Sequence, residues 1–289
     1  MRKQLAPWFG GKATLAPKIV TQLGDHKVFI ETFCGSMAVL FAKPRCRIEI
    51  VNDLHSDIIN LSRIVQDNQL HKILVKRLEK TLYHEDAYRE ASSKIKETFI
   101  AKYQPSIDRA YWYFVVSWMG RGGVAGSKGA ESSGFRLVWD SKSGNLLKFR
   151  SAIDSISQWH DRLRHAAITR RDAFSVIERA RDDEECSIYV DPPYIYKQRI
   201  STHGRGQYLH DIKNDHDHER LAKLLKRFKK ARVVVSYYDC RKIRKLYKGW
   251  NIIKCYRKKS MTFTRTNKNY DDAREILLVN GPIFSEGNA

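Results

Sequence analysis

The sequence predicts an α/β fold, a doubly wound sheet interrupted by a mainly helical insert, and three features of its 289 residues predict it. Apolar, β-branched runs alternate with helical patterns over residues 1–62, helix follows helix over 63–165, and the strand-helix alternation returns over 166–289. Strands that alternate with helices assemble into a largely parallel sheet, because each crossover helix must lie against a face of it.

The elements follow in order. An arm, Pro7-Trp8-Phe9-Gly10-Gly11-Lys12, precedes a helix whose apolar face is Leu15, Ile19 and Leu23. Its glycine pair permits positive φ beside two aromatic rings, so the arm can lie over a bound molecule or simply dock on the core. Val28 to Ser36 reads as a strand closing into the turn Phe33-Cys34-Gly35-Ser36 before the helical run Met37 to Phe41. The strand Arg47 to Val51 ends in Asn52-Asp53, which sets Asp53 18 residues after Gly35. That is near the spacing of about 20 at which an acidic residue reaches a ribose hydroxyl in dinucleotide folds. One glycine in the turn and no G-x-G-x-x-G argue against a pyrophosphate cradle, and a nucleoside cofactor without phosphate fits better. Alternatively, Asp53 caps a helix that begins near His55. The periodic set Ile58, Ile59, Leu61, Ile64 and Val65 closes this half.

In the insert, Ile73, Leu74, Leu78 and Leu82 fall on one helical face and Tyr111, Phe114, Val115 and Trp118 on another. The glycine-rich stretch Met119 to Gly129 is too flexible for an element of its own. Further strands are expected at Ala166 to Arg170, Cys186 to Val190, Arg232 to Tyr237, Trp250 to Tyr256 and Glu275 to Val279, the last two forming an antiparallel hairpin. A helix is expected from His218 to Lys230.

The densest chemistry lies in Asp191-Pro192-Pro193-Tyr194, which follows the buried run Cys186 to Val190. The prolines lack N–H groups and fix φ, so the chain leaves the sheet in a rigid extended turn and the Pro192 carbonyl is free to accept. Asp191 adds a charged acceptor, and Tyr194 a ring face worth about 1–3 kcal/mol to a stacked base. Two acceptors beside an aromatic ring suit an exocyclic amino group; read alone, the tetrapeptide is more often an ordinary strand exit.

Fifty-three Lys and Arg against 32 Asp and Glu give a net charge of +21. Such an excess points to a polyanionic partner, through phosphate neutralisation and counterion release. No apolar run has the length of a spanning helix and no signal-like segment follows Met1, which reads as a soluble, cytoplasmic protein. Five cysteines without a CxxC pair indicate neither a zinc site nor a disulfide framework, and they are expected to be reduced. His210, His216 and His218 alternate with Asp211, Asp215 and Asp217; this reads as solvated polar loop rather than as a metal site.

Taken in order, Pro7-Trp8-Phe9-Gly10-Gly11-Lys12, Phe33-Cys34-Gly35-Ser36, Asn52-Asp53 and Asp191-Pro192-Pro193-Tyr194 make the chain resemble the Dam-type adenine-N6 DNA methyltransferases over nearly its whole length. The resemblance implies a Rossmann-like, S-adenosylmethionine-dependent methyltransferase sheet over 1–62 and 166–289, with 63–165 as a helical reader of the DNA target. It implies that Trp8 and Lys12 border the cofactor, that Phe33, Cys34, Gly35 and Ser36 form its main turn, and that Asp53 accepts from the ribose hydroxyls. Asp172, beside Ala173, matches the position that accepts from the amino group of the cofactor's adenine. The chain departs from the family's Phe-x-Gly-x-Gly turn by carrying Met37 at the second glycine.

The implied reaction is methyl transfer from S-adenosylmethionine to the N6 amine of an adenine flipped out of double-stranded DNA, with no metal and with one chain acting as a monomer. Asp191 and the Pro192 carbonyl hold the amine and stabilise its growing charge while Tyr194 stacks on the base. Arg121 and Lys128, among the insert's glycines, and Lys258 and Lys259 are the expected DNA contacts. A catalytically weak DNA-binding module of the same fold, or methylation of cytosine N4 or RNA adenine, are the alternatives.

Overall fold

The computed structural model describes residues 2–98, 104–121, 133–136, 144–195, 215–255 and 275–285. The first half builds α1 (Ala16–Leu23), β1 (Val28–Glu31), α2 (Ala38–Ala42), β2 (Ile48–Asn52) and α3 (Ser56–Gln66). Helices α4 (Leu70–Glu79), α5 (Glu85–Glu97), α6 (Ile107–Met119), α7 (Asn145–Asp154) and α8 (Ile156–Leu163) follow. Alternation then resumes with β3 (Ala167–Thr169), α9 (Ala173–Arg179), β4 (Cys186–Val190), α10 (Asp215–Leu225), β5 (Arg232–Tyr238), α11 (Arg241–Leu246), β6 (Asn251–Lys254) and β7 (Glu275–Val279).

Among the described residues the strands form one seven-stranded sheet in the order β3-β2-β1-β4-β5-β7-β6. The first five run parallel, whereas β7 is antiparallel to both β5 and β6. Both faces are buried, and the two-residue period of a strand decides which side chain serves which face. Phe29, Tyr189, Val234 and Leu277 join one buried cluster, while their neighbours Ile30, Ile188, Val233 and Ile276 join the other. Helices α9, α10 and α11 cover the second cluster through Phe174, Ile177, Leu221, Leu225 and Ile243. The first cluster continues from the sheet through α3 into the helical region, taking in Leu74, Ile95, Phe114, Phe149 and Trp159. Centrally, β4 is buried at every residue, which accounts for its unbroken apolar run.

Several expectations need correction. On α4 the buried stripe is His71, Leu74 and Leu78; Ile73 is exposed, and so is Leu82, which lies beyond the helix end and off its face. Met119 is no part of a flexible stretch, since it closes α6, and Gly120 bridges to Phe135; residues 122–129 of that stretch lie outside the described residues. Helix α10 begins at Asp215, three residues early, and ends at Leu225; Asp215 and Asp217 in its first turn favour the positive end of the helix dipole. The His-Asp alternation from 215 to 218 is therefore helical, with His218 buried and its Nδ1 2.8 Å from the Tyr237 hydroxyl; His210 and Asp211 lie outside the described residues. All five cysteines are free. Among the described residues no helix is long and apolar enough to cross a membrane.

Candidate active site

A cleft of about 500 Å³ opens at the carboxyl edge of the parallel strands, where a doubly wound sheet offers its loops to ligands. Its floor is the turn after β1. The Cys34 amide donates to the Asn52 carbonyl at 2.9 Å, Met37 N–H to the Cys34 carbonyl at 2.7 Å, and Gly35 N–H to Asp53 Oδ2 at 2.8 Å. Gly35 has φ +45°, and a Cβ there would meet the Trp8 indole nitrogen at 2.7 Å. Glycine is thus required for the arm's tryptophan to close over the turn. Met37 sits at φ 60°, ψ 32°, the left-handed conformation that glycine would take, with its side chain fully buried. The departure from the two-glycine turn therefore leaves the backbone path unchanged, and burial of the Met37 side chain offsets the strain.

Asp53 is oriented by the backbone rather than capping a helix. Its Oδ1 accepts from His55 N–H at 2.8 Å while Oδ2 accepts from Gly35, so each oxygen keeps a lone pair for a ligand. The cap of α3 is His55 itself, whose Nδ1 accepts from Ile58 N–H; the His55 ring stands edge-on to Trp8 at 5.3 Å. On the opposite wall Asp172 caps α9 through one oxygen, accepting from Ser175 N–H at 3.2 Å, with Ala173 buried beside it.

Trp8, Lys12, Phe33, Cys34, Gly35, Ser36, Asp53, Asp172 and Ala173, spread over most of the chain, all line this one cleft, and so does Asp191. Of the tetrapeptide, Asp191 and Pro193 face it. Pro192 and Tyr194 do not line it: Tyr194 is 3% exposed and packed on Tyr238 with ring centroids 4.5 Å apart, and its hydroxyl donates to Glu275. Lys12 turns its ammonium to Asp191 Oδ2 at 2.8 Å, to Glu275 Oε1 at 3.2 Å and to the Gly10 carbonyl at 2.8 Å. Burial pushes the Asp191 carboxyl up to about 6; Lys12 holds it down, and the neighbouring Glu275 charge raises it. Arg121 is exposed on the turn after α6 and does not line the cleft; Lys128, Lys258 and Lys259 lie outside the described residues.

Three residues of this site were given no role from the sequence. Glu31, the last residue of β1, is fully buried on the cleft wall, accepts from Leu40 N–H at 3.2 Å, and has its carboxyl pushed well above the usual range, chiefly by burial. A carboxylate closing a strand beside β4, which itself leads into Asp191, was the available signal. Asn52 fills every hydrogen-bonding position of its amide. It donates to the carbonyls of Thr32 and Arg171 at 3.0 and 2.9 Å and accepts from Thr169 Oγ1 and Arg171 N–H at 2.8 and 2.9 Å. It thereby ties together the ends of β1, β2 and β3. Glu275 gave no local signal, because its role depends on Lys12 and Tyr194, which are remote in sequence.

The seven-stranded α/β sheet of the described residues, with this cleft at its carboxyl edge, has the architecture of a Rossmann-like methyltransferase. Residues 8–261 match the D12 class N6 adenine-specific DNA methyltransferase family, and the chain belongs to that family. It methylates the N6 position of adenine in DNA, and membership implies S-adenosylmethionine as the methyl donor. A curated relative, the type II methyltransferase M1.LlaDCHI of Lactococcus lactis subsp. cremoris, is 26% identical over 283 residues, spanning 94% of this chain and 93% of the relative.

Proposed function

We propose that the cleft binds S-adenosylmethionine against the Gly35 turn and presents its methyl group to a flipped-out adenine held at Asp191 and the Pro192 carbonyl. The observation that carries this reading is the continuity of one cleft from Gly35 and Asp53 to Asp191. The residues fit a nucleoside cofactor: an oriented carboxylate for two ribose hydroxyls, the capping Asp172 with an oxygen to spare for an amino group, and a bare glycine beneath an indole. When bound, the cofactor supplies an electrophilic methyl on a sulfonium.

The rest of the chemistry belongs to the chain. The lone pair of an adenine N6 is delocalised into its ring, so the site must orient the amine and stabilise positive charge growing on it. Asp191, ionised above about pH 6, is a preorganised acceptor for that charge, and the Pro192 carbonyl must turn toward the cleft to share it. Stacking of the target on Tyr194 requires Tyr238, now against the ring, to turn aside. Residues 63–165 read the DNA target, with Arg121, Lys128, Lys258 and Lys259 contributing positive charge toward phosphates or bases, and the net charge of +21 supports duplex DNA as the partner. The chain is expected to act as a monomer on cytoplasmic DNA.

The test is transfer of labelled methyl from S-adenosylmethionine to unmethylated genomic duplex DNA, with the product nucleoside identified by mass spectrometry. Asp191→Ala is expected to abolish formation of N6-methyladenine. Unchanged transfer in that variant would overturn the assignment of Asp191, and N4-methylcytosine as the product would overturn the nature of the target.

A further inference from the structure

We propose that Glu275, at the start of β7, is a positioning residue for methyl transfer: its carboxylate is a second seat for the Lys12 ammonium, which frees Asp191 to receive the target amine. The proposal rests on the reading of Asp191 as the acceptor of that amine. In the present arrangement one oxygen of the acceptor, Oδ2, is held by the ammonium. The ammonium stands 2.8 Å from Asp191 Oδ2, 2.8 Å from the Gly10 carbonyl and 3.2 Å from Glu275 Oε1. An entering amine therefore competes with Lys12 for Oδ2.

Lys12 is largely shielded from water, because its side chain is 6% exposed and its ammonium lies 5.1 Å over the Tyr194 ring. A displaced buried cation without a partner is costly. Glu275 removes that obstacle. It already touches the same ammonium at the longer of the two carboxylate distances, so the cation can pass to it without being left unpaired. The receiving carboxylate is fixed from two sides: Oε1 accepts the Tyr194 hydroxyl, and the Glu275 backbone carbonyl accepts Cys255 N–H at 2.8 Å while the strand pairs Glu275 with Tyr238. One ammonium between two carboxylates also leaves a single net negative charge, which a positive charge growing on the amine neutralises.

The charged and titratable groups that bear on Asp191 are Lys12 of the arm, Glu31 of β1, Tyr189 of β4, Tyr194, Tyr237 of β5 and Glu275 of β7. Of these, Lys12 and Glu275 change their relation to it if the cation moves. Glu275→Gln keeps an acceptor for Tyr194 and Lys12 but removes the charge; Glu275→Asp restores the charge on a shorter stem.

The measurement is the pH profile of kcat and kcat/KM for labelled methyl transfer to unmethylated duplex DNA by the full chain, with Asp191→Asn run alongside. Glu275→Gln is expected to lower kcat at pH 8 by roughly 10- to 100-fold while KM for S-adenosylmethionine stays within about twofold. Its acid limb should move below the native value of about 6, because the charge that raises Asp191 is gone. Glu275→Asp should recover most of kcat. A kcat within twofold of native, or a lower kcat with the acid limb unmoved, overturns the proposal. If Asp191→Asn is inactive while Glu275→Gln is unaffected, only the role of Glu275 fails; if Asp191→Asn stays active, the underlying reading of the site fails.

Discussion

Replacing Asp191 by Asn should make the protein more stable at pH 8 while it abolishes methyl transfer. The carboxyl is lifted from its ordinary 3.8 to about 6, mainly by burial, although Lys12 opposes the rise, and its side chain is 18% exposed. Two units correspond to about 3 kcal/mol between the charged and neutral forms of the folded state. For an acid whose folded value is raised, the stabilising contribution is full below the unfolded value near 3.8 and is lost as pH rises through about 6. Asn keeps the neutral form at every pH. The variant should therefore gain about 3 kcal/mol over native at pH 8 and only about 1 kcal/mol at pH 4.5, read from urea midpoints at the two pH values. Methyl transfer should fall at least 100-fold, since removal of one well-placed charge-stabilising group costs about 2.7–4 kcal/mol. Equal gains at both pH values, or a variant less stable than native at pH 8, would refute the reasoning. The expected outcome is a functional carboxylate held in its charged form at the expense of the fold.

Three further outcomes follow from the same geometry. Asp53→Ala strands the Gly35 and His55 amides and should weaken S-adenosylmethionine binding at least tenfold by calorimetry, at about 1.5–3 kcal/mol per lost charge-assisted bond; unchanged affinity would remove Asp53 from the cofactor site. Met37→Gly relieves left-handed strain of about 1 kcal/mol but empties a fully buried site, so thermal unfolding should show a net loss of about 1–3 kcal/mol, and a stabilised variant would mean that strain outweighs packing. Arg109→Met leaves the buried Asp57 carboxylate without its guanidinium and frees the Ile95 carbonyl at the end of α5; a cost of about 3–5 kcal/mol is expected in chemical denaturation, and a cost under about 1 kcal/mol would show the pair to be idle.

The sequence by itself determined the sheet and most of its cleft. Period-two and unbroken apolar runs gave β1, β2, β4, β5 and β7 within a residue or two, because each strand's burial is written in its own side chains. Gly35, Asp53, Asp172 and Asp191 were legible because each follows a strand, and a parallel sheet gathers such positions at one edge. What only the tertiary structure decided is where partners not adjacent in sequence meet. Tyr194 turns from the cleft toward Tyr238, Asn52 bonds three strand ends, His218 is buried on Tyr237, and Glu275 meets Lys12 across almost the full length of the chain. Local pattern carries no information about such contacts, since their energies arise only once folding has excluded water from both partners together.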